Sequence, residues 1–222
     1  MQKFLRNFLF LISNCLLLVS CTPEMFKGLK QGEETFTRDK TKLFPLGIKE
    51  SLVYKTNIKY KDKEFSSLAY VNEINDSVFK IVLLTSFGNT LLVAEISKEK
   101  FIVNNVISYL DRKPILNLLE NDWRIVLAGN LSADIPLQFS STKPEEQVFD
   151  YQRGRINNLY YYNLKQKVLT QIESYKGKTK KVVVSISSYK DSMPESFSIE
   201  HPSLKLKLDM TLLKKVNNES AE

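Results

Sequence analysis

The chain has 222 residues, 43% hydrophobic and 26% charged, with a formal net charge of +7, one histidine and two cysteines. That composition is ordinary for a globular protein and excludes collagen-like and disordered classes. The length suits one domain with a sizeable core. So few cysteines and histidines leave no ligand set for a transition metal, and the mild positive charge suits anionic surfaces without calling for nucleic acid.

Residues 1–20 read as a signal peptide. Lys3 and Arg6 form a basic start, residues 8–19 form an apolar run interrupted by Ser13 and Asn14, and Leu18-Val19-Ser20-Cys21 closes it. The run falls short of the ~20 apolar residues a membrane-spanning helix needs. Leu-Val-Ser-Cys resembles the lipobox of bacterial lipoproteins, whose cysteine becomes the acylated first residue of the mature chain. On that resemblance Cys15 leaves with the signal, Cys21 carries lipid, and no disulfide remains. Residues 21–49 include Pro23, Gly28, Gly32, Pro45 and Gly47, show no sustained period, and read as a lipidated N-terminus and tether. Within it, residues 44–48 are a candidate for packing on the body. After Cys21 come Thr22 and Pro23, neither an inner-membrane-retention aspartate nor an acidic run. The expected location is the outer membrane, lipid-anchored and facing the periplasm.

The body is expected over residues 50–215, with a polar tail at 216–222. From Ser51 the chain alternates, with Leu52, Tyr54, Thr56, Ile58 and Tyr60 on one face and Lys55, Asn57 and Lys59 on the other. Lys61-Asp62-Lys63 turns into a second strand over 65–74. Residues 78–96 then form two apolar arms around Ser86-Phe87-Gly88-Asn89, where Gly88 and Asn89 tolerate the positive φ of a tight hairpin. The arms carry only Lys80 and Glu95, which reads as central sheet buried on both faces. Phe87 is out of place at a turn tip. It either folds back onto the sheet edge or stands in solvent as an apolar probe for a membrane or partner.

After a short strand at 101–103 the period changes. Asn104 or Asn105 could cap a short helix through Leu110. A longer helix is expected over 114–128, with Pro114 in its first turn and Gly129 as its stop. Its stripe of Ile115, Leu118, Leu119, Trp123, Val126 and Leu127 must lie on apolar surface. The second half is again strand, at 148–152, 158–163, 168–175, 180–189, 196–200 and 204–213. The last alternates most cleanly, with Leu204, Leu206, Leu208, Met210 and Leu212 against Lys205, Lys207, Asp209 and Thr211. These elements predict an α+β fold: a strongly curved antiparallel sheet of about 10–11 strands forming an unclosed β-barrel, with two helices as a lid.

Chemistry-bearing constellations are missing. His201, beside Pro202 in a turn, reads as solvent-exposed, and no catalytic residue, metal site or cofactor is expected. There is no Gly-x-Ser-x-Gly, no phosphate-binding glycine loop and no His-Glu-x-x-His. Glu33-Glu34 and Glu145-Glu146 read as solvated charge. Tyr160-Tyr161-Tyr162 alternate faces of a strand. Lys178, Lys180 and Lys181 form a basic turn, either solvated or placed against anionic headgroups.

The order of parts resembles the LolA/LolB-like lipoprotein localisation family, above all its outer-membrane receptor, LolB. The resemblance rests on residues 79–88, the helical insert after Phe101, Ile135-Pro136-Leu137, and Met193-Pro194-Glu195-Ser196-Phe197 followed by the alternating last strand. It implies an apolar cavity for the acyl chains of lipoproteins handed over by a periplasmic LolA-like carrier. It also implies a membrane-insertion loop at Phe87 and Gly88, with phenylalanine where the family has leucine. The cavity is then expected to be lined by Phe79, Ile81, Leu83, Trp123, Val184, Leu206 and Leu208, although a tryptophan on such a stripe, as Trp123 is, is more often core than ligand contact. A monomeric acceptor is expected that takes up acyl chains and helps place them in the outer membrane. The alternatives are an envelope-assembly module with the same fold but no transfer function, a membrane-spanning β-barrel, disfavoured by Lys55, Lys59, Lys205 and Lys207 on strand faces, and, last, an enzyme.

Overall fold

A computed structural model describes residues 24–32, 38–44, 46, 50–75, 77–131 and 135–217. Cys21 and the signal segment lie outside the described residues. The described chain forms one antiparallel sheet with strands β1 (Lys30–Gln31), β2 (Glu50–Tyr60), β3 (Lys63–Asn75), β4 (Val78–Thr85), β5 (Thr90–Ser97) and β6 (Phe101–Val106) before helix α1 (Lys113–Leu131). After it come β7 (Leu137–Ser140), β8 (Glu146–Arg153), β9 (Ile156–Asn163), β10 (Val168–Lys176), β11 (Thr179–Lys190), β12 (Met193–His201) and β13 (Leu206–Asn217). The spatial order is β1-β7-β8-β9-β10-β11-β12-β13-β2-β3-β4-β5-β6. The last strand therefore joins the two halves, with Leu206 opposite Tyr60 and Asn217 opposite Glu50. The two edge strands, β1 and β6, do not pair, so the sheet is unclosed.

The sheet curls because both halves have an apolar face that must be buried on the same helix. Alternating residues of β2 to β5 (Leu52, Tyr54, Ala69, Val71, Ile81, Ile96) and of β8 to β13 (Phe149, Tyr160, Ile172, Val184, Phe197, Met210) share one core cluster with Trp123, Val126 and Leu127 of α1. Register shifts in β3, β10, β11 and β13 add local twist. The α+β expectation is thereby corrected. The sheet has thirteen strands rather than ten or eleven, and α1 is the single α-helix among the described residues. That helix is embedded in the core, not laid over it as a lid. Residues 104–106 continue β6 instead of starting a helix, because Asn105 and Val106 pair with Val93 and Leu92.

The β4–β5 hairpin is also not central. It lies next to the β6 edge, and its burial alternates: Phe79, Ile81, Leu92, Ala94 and Ile96 are buried, while outward-facing Val82, Leu84 and Val93 are only half-buried. A strand pair with only Lys80 and Glu95 as charges thus has one solvent-facing side.

Parts of the stretch read as a tether pack on the body. Met25, Phe26 and Leu29 lie on the outer face of the sheet against Val148, Leu159 and Tyr175. The Phe26 and Phe139 rings stack at 5.2 Å, and Lys30–Gln31 pairs with Ser140 and Phe139. Further on, Leu43 and Phe44 enter the main core fully buried. They are held by α1 and β8: Asn130 Nδ2 donates to Phe44 O at 2.7 Å, and Thr41 Oγ1 lies 2.8 Å from Tyr151 Oη of β8. Gly129 is the contact point. It does not stop the helix, which runs on to Leu131; a Cβ built there would sit 2.0 Å from Thr41 O. All of the described sheet, helix and core falls within residues 24–217, so a chain starting at Thr22 retains every described contact.

Candidate functional site: a cavity beside the helix and an aromatic turn

The second face of α1 is not fully covered. Between it and the inner side of β8 to β11 lies a cavity of about 800 Å³, within the ~300–1,000 Å³ typical of small-molecule sites. Leu118, Ile125, Ala128 and Leu131 of α1 form one wall, and Tyr151, Ile156 and Val182 of the sheet face them. Ile135 and Pro136, ahead of β7, and Leu204, ahead of β13, continue the apolar lining. The rim is basic, with Arg153, Lys176 and Lys181 on the β8–β9 and β10–β11 turns. Its far side is pinned by Arg124, whose Nε donates to Glu120 Oε1 at 2.7 Å and whose Nη1 donates to the carbonyls of Ser97 and Lys98 at 2.9 Å.

His201 borders this cavity and is buried, correcting the exposed reading. Its Nε2 lies 3.0 Å from Asp122 Oδ2, itself buried on α1. Burial pushes the Asp122 carboxyl above the usual carboxylate range, while the bond to His201 and its charge pull the other way. The pair fastens the end of β12 to the helix where the cavity opens. Pro202 signalled a turn correctly, but whether the residue before it is exposed depended on a partner 79 positions away.

None of the seven side chains expected to line the cavity borders it. Phe79, Ile81, Trp123 and Val184 are in the closed core, fully or almost fully buried. Leu83 and Leu208 lie half-buried against that core, and Leu206 is half-buried opposite Tyr60. These three share the inner face with Ile58, Tyr60 and Phe65, where the sheet extends as an apolar apron toward the β4–β5 turn. Tyr151, Ile156 and Val182 of the lining belong to the inner face of the sheet, and Leu118, Ile125, Ala128 and Leu131 to the same helix. The sequence carried that signal, but not which end of each apolar stripe the helix leaves uncovered.

Phe87 stands at the tip of the β4–β5 turn, 92% exposed, so it does not fold back onto the sheet. The turn is well bonded: Thr85 N donates to Asn89 O at 2.8 Å, Gly88 N to Thr85 O at 3.0 Å, and Asn89 N to Thr85 Oγ1 at 3.0 Å. Gly88 has a φ of +86°, which a residue with a Cβ rarely adopts. Gly88 thus lets the chain reverse directly after the ring.

The three tyrosines alternate. Tyr160 is inside and donates to Ile125 O of the helix. Tyr161 is on the outer face, donating to Glu173 Oε2 at 3.1 Å. Lys180 is also bonded to Glu173, with Tyr175 Oη donating to it at 2.7 Å, so this lysine differs from Lys178 and Lys181. Burial acts to raise the Glu173 carboxyl, but these bonds prevail and hold it below its ordinary value. Among the described residues no group of three or more His, Cys, Asp or Glu could hold a metal, and no helix is long and apolar enough to cross a membrane.

No family model matches the chain, and no curated protein matches it. Solved structures do. A LolA superfamily protein from Nitrosomonas europaea superposes with a TM-score of 0.55 at 12% identity, covering 80% of this chain and 89% of that one. A DUF1329 family protein from Desulfovibrio piger gives 0.51 at 8% identity, covering 79% and 88%. The fold is LolA-like. The likeness is to the superfamily fold and does not single out LolB.

Proposed function

We propose that this protein is a lipid-anchored acceptor at the outer membrane that holds lipoprotein acyl chains in the cavity beside α1 and releases them into the bilayer. Leu118, Ile125, Ala128, Tyr151 and Val182 are the residues that would contact the chains. The observation that carries the reading is the cavity between helix and sheet, with apolar side chains on both walls, in a LolA-like fold. Phe87, held out on a bonded turn, would enter the membrane during release. A monomer would receive its cargo from a soluble LolA-like carrier, and Cys21 would carry the anchoring lipid. Stable attachment there takes more than one acyl chain, since a single chain binds marginally. Metabolic labelling with a fatty acid should mark the wild-type chain and not Cys21→Ala. Label persisting on the Ala variant would remove the anchor from the proposal.

The cavity is tested on the chain from residue 22 onward. An environment-sensitive hydrophobic dye should bind and be displaced by a diacylated peptide but not by the same peptide without acyl chains. Ala128→Trp, which fills the space from the helix side, should weaken dye binding at least tenfold. Excluding only two methylenes, at ~0.8 kcal/mol each, is worth about that much. Equal displacement by both peptides would turn the reading toward an envelope-assembly module without transfer.

A further inference from the structure

The sheet edge that carries Phe87 holds four more connections. In an antiparallel sheet, alternate connections fall on the same edge. The registers place the β8–β9 turn, the β10–β11 turn, the β12–β13 connection and the β2–β3 turn on the same edge as the β4–β5 turn. Bonds between them fix the row. Gly177 N donates to Arg155 O at 3.2 Å and Lys61 N to Lys205 O at 3.0 Å, while Ser86 Oγ donates to Ser66 O at 3.2 Å.

Two kinds of side chain share this row. Phe87, Phe65, Tyr60 and Leu204 are large exposed hydrophobics. Interleaved with them are exposed cations: Arg153 and Arg155 on the β8–β9 turn, and Lys176, Lys178 and Lys181 on the β10–β11 turn. Lys205 on the β12–β13 connection and Lys61 and Lys63 on the β2–β3 turn continue the series. The exposed carboxylates along the same stretch are Asp62, Glu64 and Glu200. The β9–β10 and β11–β12 turns on the opposite edge also carry lysines, Lys165, Lys167 and Lys190. The large exposed hydrophobics beside the connections of that edge are aliphatic: Leu164, Ile74 near the end of β3 and Ile102 near the start of β6. Charge alone therefore does not distinguish the two edges; charge combined with aromatic side chains does.

We propose that this edge docks on a bilayer through its anionic lipids. The aromatic and leucine side chains enter the interface, where amphipathic rings are favoured, and the lysines and arginines meet the headgroup phosphates. The cavity rim shares Arg153, Lys176 and Lys181 with this edge, so the docked orientation turns the cavity mouth to the membrane. The inference rests on the reading that the protein works at a membrane and adds the lipid class it selects.

The test uses the chain from residue 22, without cargo, in vesicle co-sedimentation. Binding is expected to phosphatidylcholine vesicles containing phosphatidylglycerol, not to phosphatidylcholine alone, and it should disappear at ~1 M salt, where the Debye length is about 3 Å. Arg155→Gln, Lys178→Gln and Lys205→Gln combined remove one cation from each of three turns, and none borders the cavity. The triple variant should partition roughly a hundredfold less, about fivefold per cation, with an unchanged melting temperature. Lys165→Gln, Lys167→Gln and Lys190→Gln on the opposite edge should leave binding within a few-fold of wild type. Should the first triple variant melt early, Lys61→Gln with Lys63→Gln makes the same test, at roughly twenty-five-fold. Equal losses from both edges, or equal binding to neutral vesicles, would overturn the proposal. Dye displacement by acylated peptide is independent of this result, so failure of the cavity reading and failure of the docking edge are separately visible.

Discussion

Phe87→Glu is expected to leave the melting temperature of the chain unchanged and to abolish delivery of bound acylated peptide to liposomes, while Phe87→Leu keeps both. Substituting a side chain with no buried contact falls within ~0.5 kcal/mol in most proteins, and Phe87 is 92% exposed. In the bilayer the balance is different. The phenylalanine ring gains from burial there, whereas a carboxylate pressed toward hydrocarbon is repelled; leucine retains the apolar term. Uptake into the cavity should be equal for all three proteins, because Phe87 does not border it. The measurement is thermal melting, dye displacement and transfer to vesicles on the same preparations. Transfer unaffected by glutamate would remove the turn from the release step, and a large stability loss would mean that the ring is packed after all.

Gly129→Ala carries the largest expected cost to stability, about 3 kcal/mol or more, which in a protein of this size lowers the melting temperature by roughly 6–12 °C. In an ordinary helix the same change would gain about 1 kcal/mol. Here the new methyl would lie 2.0 Å from Thr41 O and 2.3 Å from Thr41 C. Those are backbone atoms, so no side-chain rotation relieves the clash. Residues 38–44 must move off the helix, drawing Leu43 and Phe44 from the core and breaking the bond from Asn130 to Phe44 O. A variant as stable as wild type would show that this segment is not fixed on α1.

Strand alternation was legible wherever one face meets the core and the other meets solvent, as in β2 and β13. An unclosed, curved antiparallel sheet followed from it, but the strand count and the two-helix lid did not hold. Legibility failed where a residue's role is decided by something distant in sequence. Gly129 sits where a helix stop would, yet its lack of a Cβ serves a chain segment 88 positions earlier. Asn104 and Asn105 have the chemistry of helix caps, but β5 offered them a ladder instead. The β4–β5 hairpin looked central because its residues are apolar, though apolar residues also occupy half-buried outer faces. At the candidate site only Leu118 of the expected helix stripe lies on the cavity wall, and none of the seven expected lining residues does. Which stretch of the helix and of the inner sheet face remains uncovered depends on where α1 ends its crossing, and no local pattern encodes that.

The packing of residues 25–31 on the outer face of the sheet would set how far the body can travel from the proposed anchor. With lipid on Cys21, only Thr22 and Pro23 separate the attachment point from Glu24, at ~3.5 Å per residue a leash of about 10 Å. On the proposed function, a slack of that size would berth the protein against its own leaflet. It could roll there to bring one edge or another to the surface, but it could not swing out to collect distant cargo. The proposed carrier would then make the whole aqueous crossing, and the final step would be a reorientation in place.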